Sequence, residues 1–433
     1  MQYKNIGIFA LLLLIIVVAT ALNGSFVSPA NVKTLIRDTS LYGLISIGVA
    51  MVIITGGIDL SIGSMIALCG VMLVQVINIR YEADPFTSAI VEVRTEAGGE
   101  LAHAAVRLRD PPPPLRDGDR LVYRGTTGDA FIHVRRTTET ADGLWIESRD
   151  SLTGLAIAAS QGGGLPVGLQ SIRYTPPLVA CAAVLLFAAL IGWFHGLLVT
   201  KAHLQPFVVT LCGLLIYRGM ARVMTGDDQV GLMSALTDFK ATLTGPAFAF
   251  PLPWIARISG QGESWWDLAW VDFPVTGVFL GVVAVAAWLF LNRTVWGRQL
   301  LATGENEQAA RYSGVATHRL IRLAYLVSGL LAGLAGILFT LEWNSVQPGS
   351  TGNFYELYAI AAAVLGGCSL RGGRGAILGV IAGAAVMRSL YKAIVVLGIP
   401  QEWEMVIIGV ALLSSVLLDE SVRLYRERIV GRA

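Results

Sequence analysis

Along this chain, apolar residues gather into blocks of about twenty, divided by short polar connections that carry arginine. A helix needs about that many apolar residues to cross the ~30 Å hydrocarbon core of a bilayer. Ten blocks predict ten spans, at Ile6–Leu22, Ile36–Thr55, Leu60–Ile79, Pro177–Val199, Leu204–Met224, Pro274–Asn292, Arg322–Leu341, Phe354–Gly367, Ala376–Leu397 and Trp403–Asp419. Phe354–Gly367 is the shortest and reads as a broken or partly re-entrant helix. After residue 79 the period changes. "AIVEVRTE", "DRLVYRG", "AFIHVRR" and "GLWIESRD" alternate apolar and polar residues, and Gly, Asp and the Pro111–Pro114 run separate them, which predicts short strands. The organisation expected is 1–79 with three spans, 80–172 as an inserted β-rich domain and linker, and 173–226 with two spans. A loop at 227–273, five spans at 274–419 and a tail at 420–433 complete it.

Composition supports a membrane setting. Hydrophobic residues make up 54% of the chain and charged residues 14%, against about 25% charged in a soluble domain. The 48 glycines suit helices that pack closely in lipid. A net charge of +2 gives no basis for a nucleic-acid partner, but its distribution orients the chain. With an even number of spans, Arg293, Arg298, Arg311 and Arg319 lie on the same side as Arg371 and Arg374, as Arg423, Arg426, Arg428 and Arg432, and as Lys4 and Lys201. Positive residues in short loops mark the cytoplasm, so both termini are expected there. Residues 80–172, with ten arginines and thirteen acids between Arg80 and Asp150, then fall outside. The fold class predicted is an all-α polytopic membrane protein of about ten transmembrane helices, with an inserted extracytoplasmic small β-rich domain. The first apolar block has no clear small-x-small cleavage site and is expected to stay as a helix.

Candidate chemistry is sparse. Cys69, Cys181, Cys212 and Cys368 all sit within apolar runs and read as packing residues. His103 and His133 lack a metal-ligand spacing, and no metal or cofactor is expected. There is no GxxxxGK[ST], HExxH, CxxC or GxSxG, so the chain reads as a non-enzyme without its own ATPase site. Trp254, Trp265, Trp266 and Trp270 suit an interfacial loop, with ligand stacking as the other reading.

Four stretches carry a resemblance. "GGIDLSIGSMIAL" at 56–68, "LQPFVVTLCGLLIYRGMA" at 204–221, "NRTVWGRQLLATGENEQAARYSGV" at 292–315 and "LGGCSLRGGRGAILGVIAGA" at 365–384 occur in this order. The chain thereby resembles the permease subunits of bacterial ABC importers for ribose, xylose, arabinose and related sugars. The resemblance implies a multi-pass subunit of the bacterial inner membrane, surrounded by lipid and paired with a second permease copy as a homodimer or with a similar permease as a heterodimer. It also implies a cytoplasmic ABC ATPase and a periplasmic solute-binding protein as partners. An ion-coupled secondary transporter of a small polar solute is the alternative.

Gly304, Glu305, Asn306, Ala309, Ala310, Arg311 and Gly314 fall in the cytoplasmic connection 293–321. Glu305, Asn306 and Glu307 would open a short helix, where negative charge favours the N-terminal dipole, and Gly314 would end it. By its residues this helix either docks a partner or stands solvated; the resemblance implies docking of the ATPase. Gly56, Gly57, Asp59, Ser61 and Arg388 are the candidates for the pathway or its gate. Asp59 reads as an N-cap of the third span after a glycine turn, or as a contact for sugar. Arg388 and Lys392, four apart, share a face of the ninth span and must face protein or water. Arg388 either lines the pathway, favouring a modified or acidic sugar, or pairs with Glu342, Glu356 or Glu402. Finally, "GGIDLSIGS" and "GGCSLRGGRG" are alike enough to suggest corresponding parts of an internal repeat.

Overall fold

A computed structural model describes residues 6–82, 86–95, 104–110, 120–125, 128–140, 143–148, 165–170, 172–232, 237–260, 268–410 and 413. The chain divides into two compact units, one of residues 1–76 with 177–433 and one of 77–176.

The larger unit is helical. Among the described residues, six helices are long and apolar enough to cross a membrane: α2 (Pro29–Ile54), α4 (Pro177–Lys201), α5 (Pro206–Thr225), α8 (Val275–Arg293), α11 (Thr317–Trp343) and α13 (Ile377–Val396). Three of the predicted spans are shorter helices: α1 (Ile6–Leu22), α3 (Ile62–Ile77) and α12 (Tyr355–Leu365), the last of only 11 residues. The tenth predicted span, Trp403–Asp419, lies mostly outside the described residues; 404–410 are helical. Pro29 and Pro206 stand in the first turns of α2 and α5, where the missing N–H costs nothing, and Gly226 closes α5 with φ +66°.

Burial separates the helices by role. α2 and α11 are mostly buried and form the centre, whereas α4, α5 and α8 expose apolar faces such as Leu186, Leu215 and Val282. Without water to drive packing, close approach depends on small residues. Gly192 of α4 meets the Tyr325 backbone of α11, and Gly48 of α2 meets Ser328. Shorter elements fill the connections. α6 (Thr237–Thr244), α7 (Pro253–Ile258) and the β10–β11 hairpin (Pro246–Leu252 with Ala269–Pro274) occupy the long loop, with Trp254 and Trp270 exposed. Trp265 and Trp266 lie outside the described residues. α9 (Val295–Glu305) and α10 (Glu307–Tyr312) fill the arginine-bearing connection.

The smaller unit is β-rich. β1 (Arg80–Glu82) pairs antiparallel with β8 (Ile172–Tyr174). Six further strands close a barrel in the order β2-β3-β6-β5-β4-β7, namely Phe86–Thr95, Ala104–Leu108, Gly143–Ser148, Gly128–Thr140, Arg120–Gly125 and Leu165–Gln170. The apolar positions of the alternating pattern point inward: Ile90, Val106, Leu121, Ile132, Val134, Ile146 and Val167 are its core. His133 stands on β5 opposite Arg120, and His103 lies outside the described residues. Among the described residues no group of three metal-ligating side chains occurs.

Candidate functional site

Three glycine-bearing stretches far apart in sequence meet at the C-terminal end of α2. Gly56 turns the chain with φ +82°. The Ile54 carbonyl, left without an intrahelical partner, accepts the Gly373 N–H at 2.9 Å. Gly304, near the end of α9, packs into the same corner: a Cβ there would collide with the Ile54 carbonyl and stand 2.5 Å from Gly373 N. The GGIDLS turn therefore lies directly against the GGRG turn it resembles, with the start of the GEN segment between them. Glu305 and Arg374 approach to 3.8 Å across the exposed edge of this junction.

Past the turn, residues 57–61 form no regular element before α3 begins. Asp59 is 2% exposed. Its Oδ1 accepts the Ser61 N–H at 3.0 Å and the Ser61 hydroxyl at 2.7 Å, while Oδ2 accepts the Ser328 hydroxyl of α11 at 2.8 Å. The N-cap expectation is corrected by two residues, since α3 begins at Ile62. Asp59 organises the residues before the helix, and the Ser61 carbonyl accepts the Met65 N–H to start it. Gly57 packs against Tyr325, and the Ile58 carbonyl accepts the Thr210 hydroxyl of α5 at 3.1 Å. Nearby, buried His195 of α4 and Tyr217 of α5 share a 2.7 Å hydrogen bond between Nε2 and the hydroxyl, and the His195 ring meets Tyr325 edge-on. The Tyr325 hydroxyl is buried and has no hydrogen-bond partner among the described residues. Sequence reasoning passed over His195, Tyr217, Tyr325 and Ser328. The signal was present: an ionisable histidine inside a predicted span is costly and marks function.

In the connection beyond α8, Asn306 is the N-cap of α10. Its Oδ1 accepts the Ala309 N–H at 2.9 Å. Glu305 ends α9 and does not open this helix, a correction to the expected boundary. Ala310 is buried and anchors α10, whereas Glu307, Ala309, Arg311 and Tyr312 face outward, Tyr312 at 89% exposure. Gly314 follows with φ +83° and lets the chain turn into α11. An open groove of about 550 Å³ adjoins α10, lined by His203, Arg311, His318, Arg319 and Arg322 among others. Arg311 contacts His318 there. With three arginines in its lining, this surface is cationic.

Arg388 lies apart from this region. Its guanidinium pairs with Asp38 of α2 at 2.9 Å, with side-chain exposures of 12% and 13%. Glu342, Glu356 and Glu402, the three expected carboxylates, are not its partner. Glu342 is held by Arg37 at 2.7 Å. Arg388 is also sandwiched between the Tyr42 and Tyr391 rings, each centroid 4.4 Å away. Tyr42 in turn packs on Phe339, Tyr355 and Tyr358. The pair thus ties α2 to α13 inside an aromatic box.

Known proteins resemble the chain along most of its length. Residues 144–416 match the family described as branched-chain amino acid transport system / permease component. The chain is 29% identical to the ribose import permease protein RbsC of Escherichia coli K12 over 97% of this chain and 94% of that protein. Identity is 27% to the Bacillus subtilis ribose import permease protein RbsC, covering 96% and 92%. It is 36% to the autoinducer 2 import system permease protein LsrC of Escherichia coli, covering 61% and 69%. No solved structure matches.

Proposed function

The chain belongs to the family of branched-chain amino acid transport system permease components, and on that premise we propose that it is the membrane-spanning subunit of an ABC importer for a monosaccharide or a related small polar solute. The observation that carries this reading is the family match over 144–416, which takes in the α9–α10 connection. Relatives over nearly the whole chain are named for ribose import, which supports a sugar as cargo. The membrane is the bacterial inner membrane, with α10 and both termini on the cytoplasmic side, as the arginine distribution favours. A separate ATPase docks on the exposed face of α10. A second permease copy completes the pathway, and a periplasmic binding protein delivers the solute.

Co-purification from detergent tests the docking. Ala309→Arg places a bulky charge on the exposed face of α10 while the buried Ala310 anchor stays. Recovery of a Walker-type ATPase with the wild type should fall at least about tenfold with this variant, equivalent to ~1.4 kcal/mol. Recovery of the chain alone in both samples would instead favour an ion-driven transporter.

A further inference from the structure

Helix α12 starts late. α11 ends at Trp343, and the short strand β12 (Ser345–Val346) pairs with β9 (Val230–Gly231) beside it. From there the chain descends along α3, since Val346 lies against Gly70 and Gly352 against Gly63. That interval on α3, at about 1.5 Å per helical residue, makes the descent roughly 10 Å. Only at Tyr355 does helix resume. Residues 347–354 are therefore non-helical backbone within the depth spanned by α3.

The segment is held firmly. Arg218 of α5 donates to the Pro348 carbonyl at 2.9 Å and to the Thr351 carbonyl at 2.5 Å. The Gln347 N–H donates to the Thr351 hydroxyl at 3.0 Å, and the Gln347 amide to the Asp227 carbonyl at 3.4 Å. Phe354 is fixed at φ +64°, a conformation bulky side chains avoid and one that tends to persist at functional sites. Ser350 and Asn353 are exposed, and Phe354 is 46% exposed.

Lipid cannot cover such a surface. Non-helical backbone at membrane depth is tolerated only inside protein or along a water-filled cavity. The charges nearby are all engaged or buried: Arg218 by two carbonyls, the exposed Asp227 by Arg222, and Glu356 at 8% exposure. The segment itself turns outward a hydroxyl, an amide and an aromatic ring, a set that suits a neutral solute rich in hydroxyls. We propose that residues 347–354 line a water-filled solute pathway, with Asn353 and Phe354 contacting a neutral polyhydroxylated solute as it passes.

This rests on the permease reading, but its test needs no ATPase, so the two fail separately. In a background with Cys69, Cys181, Cys212 and Cys368 replaced by alanine, Asn353→Cys is compared with Val282→Cys on the exposed apolar face of α8. The probe is the membrane-impermeant 2-sulfonatoethyl methanethiosulfonate, applied to both faces of membrane vesicles. Asn353→Cys should react at least about tenfold faster than Val282→Cys, because only a wetted thiol ionises and meets the reagent. A mixture of D-ribose, D-xylose and L-arabinose should slow that reaction at least about twofold, as expected where the sugars occupy the site. Equal rates at the two positions would overturn the pathway assignment, as would a spontaneous disulfide joining two chains through residue 353. Fast labelling that the sugars leave unchanged would overturn the solute contact.

Discussion

Asp59 shows how an expensive residue is accommodated at one point. Its carboxylate is almost fully buried and accepts three hydrogen bonds, two from Ser61 and one from Ser328. Removing a partner from a buried charged acceptor costs about 1–3 kcal/mol or more, the desolvation of the group left bare. Ser328→Ala should therefore lower the thermal stability of the detergent-solubilised protein, while Ser25→Ala, at an exposed site, should leave it unchanged. Equal midpoints for the two variants would mean that water replaces Ser328 at Asp59. From the sequence, Asp59 was visible as an anomaly, but its partner was not. Ser61 is two residues away and Ser328 lies on another helix, and only the first kind of neighbour leaves a mark in a linear pattern.

Between elements, the same logic applies to charge. The Asp38–Arg388 pair joins α2 and α13 and is largely shielded. Breaking a buried pair from one side strands a charge and costs about 3–5 kcal/mol, whereas removing both charges is often close to neutral. Asp38→Asn and Arg388→Met should each destabilise strongly, and the double variant should recover most of the loss; thermal unfolding of the four proteins checks this. An unrecovered double variant would assign Arg388 to something other than pairing. The clamp on the descending segment has an electrostatic component as well. Arg222 hydrogen-bonds the exposed Asp227 carboxylate, with contacts of 2.6 and 2.9 Å, and holds its carboxyl below the usual carboxylate range. A depressed carboxyl keeps its contribution at neutral pH and loses it as pH falls through the folded-state value. That clamp persists through mild acid.

For the whole molecule, the two units predict modularity. β1 and β8 bring Glu82 and Ile172 into register as antiparallel partners, close enough for a two-residue hairpin turn to join them. Replacing 83–171 with Asn-Gly should leave a chain that inserts in the membrane and, on the proposed function, still captures its ATPase, with any defect confined to delivery of solute from outside. Quantitative co-purification and uptake separate these outcomes. Loss of membrane insertion would show that the β unit is needed for the helical unit to fold.

Much of this organisation was legible in the sequence. Apolar blocks of about twenty residues marked the spans, a switch to period two marked the β unit, and four motifs in order carried the family. Each of these is a local pattern, imposed by lipid or by a strand's alternating faces on consecutive residues. The tertiary structure alone decided which distant residues share a site. Gly304 and Gly373 converge on the Ile54 carbonyl, Asp38 neutralises Arg388, Ser328 closes the shell of Asp59, and the segment before α12 runs down along α3. Such contacts join residues hundreds of positions apart, so neither composition nor periodicity records them. They are chosen when helices pack, because a buried carbonyl, charge or bare turn must then find a partner wherever the fold supplies one.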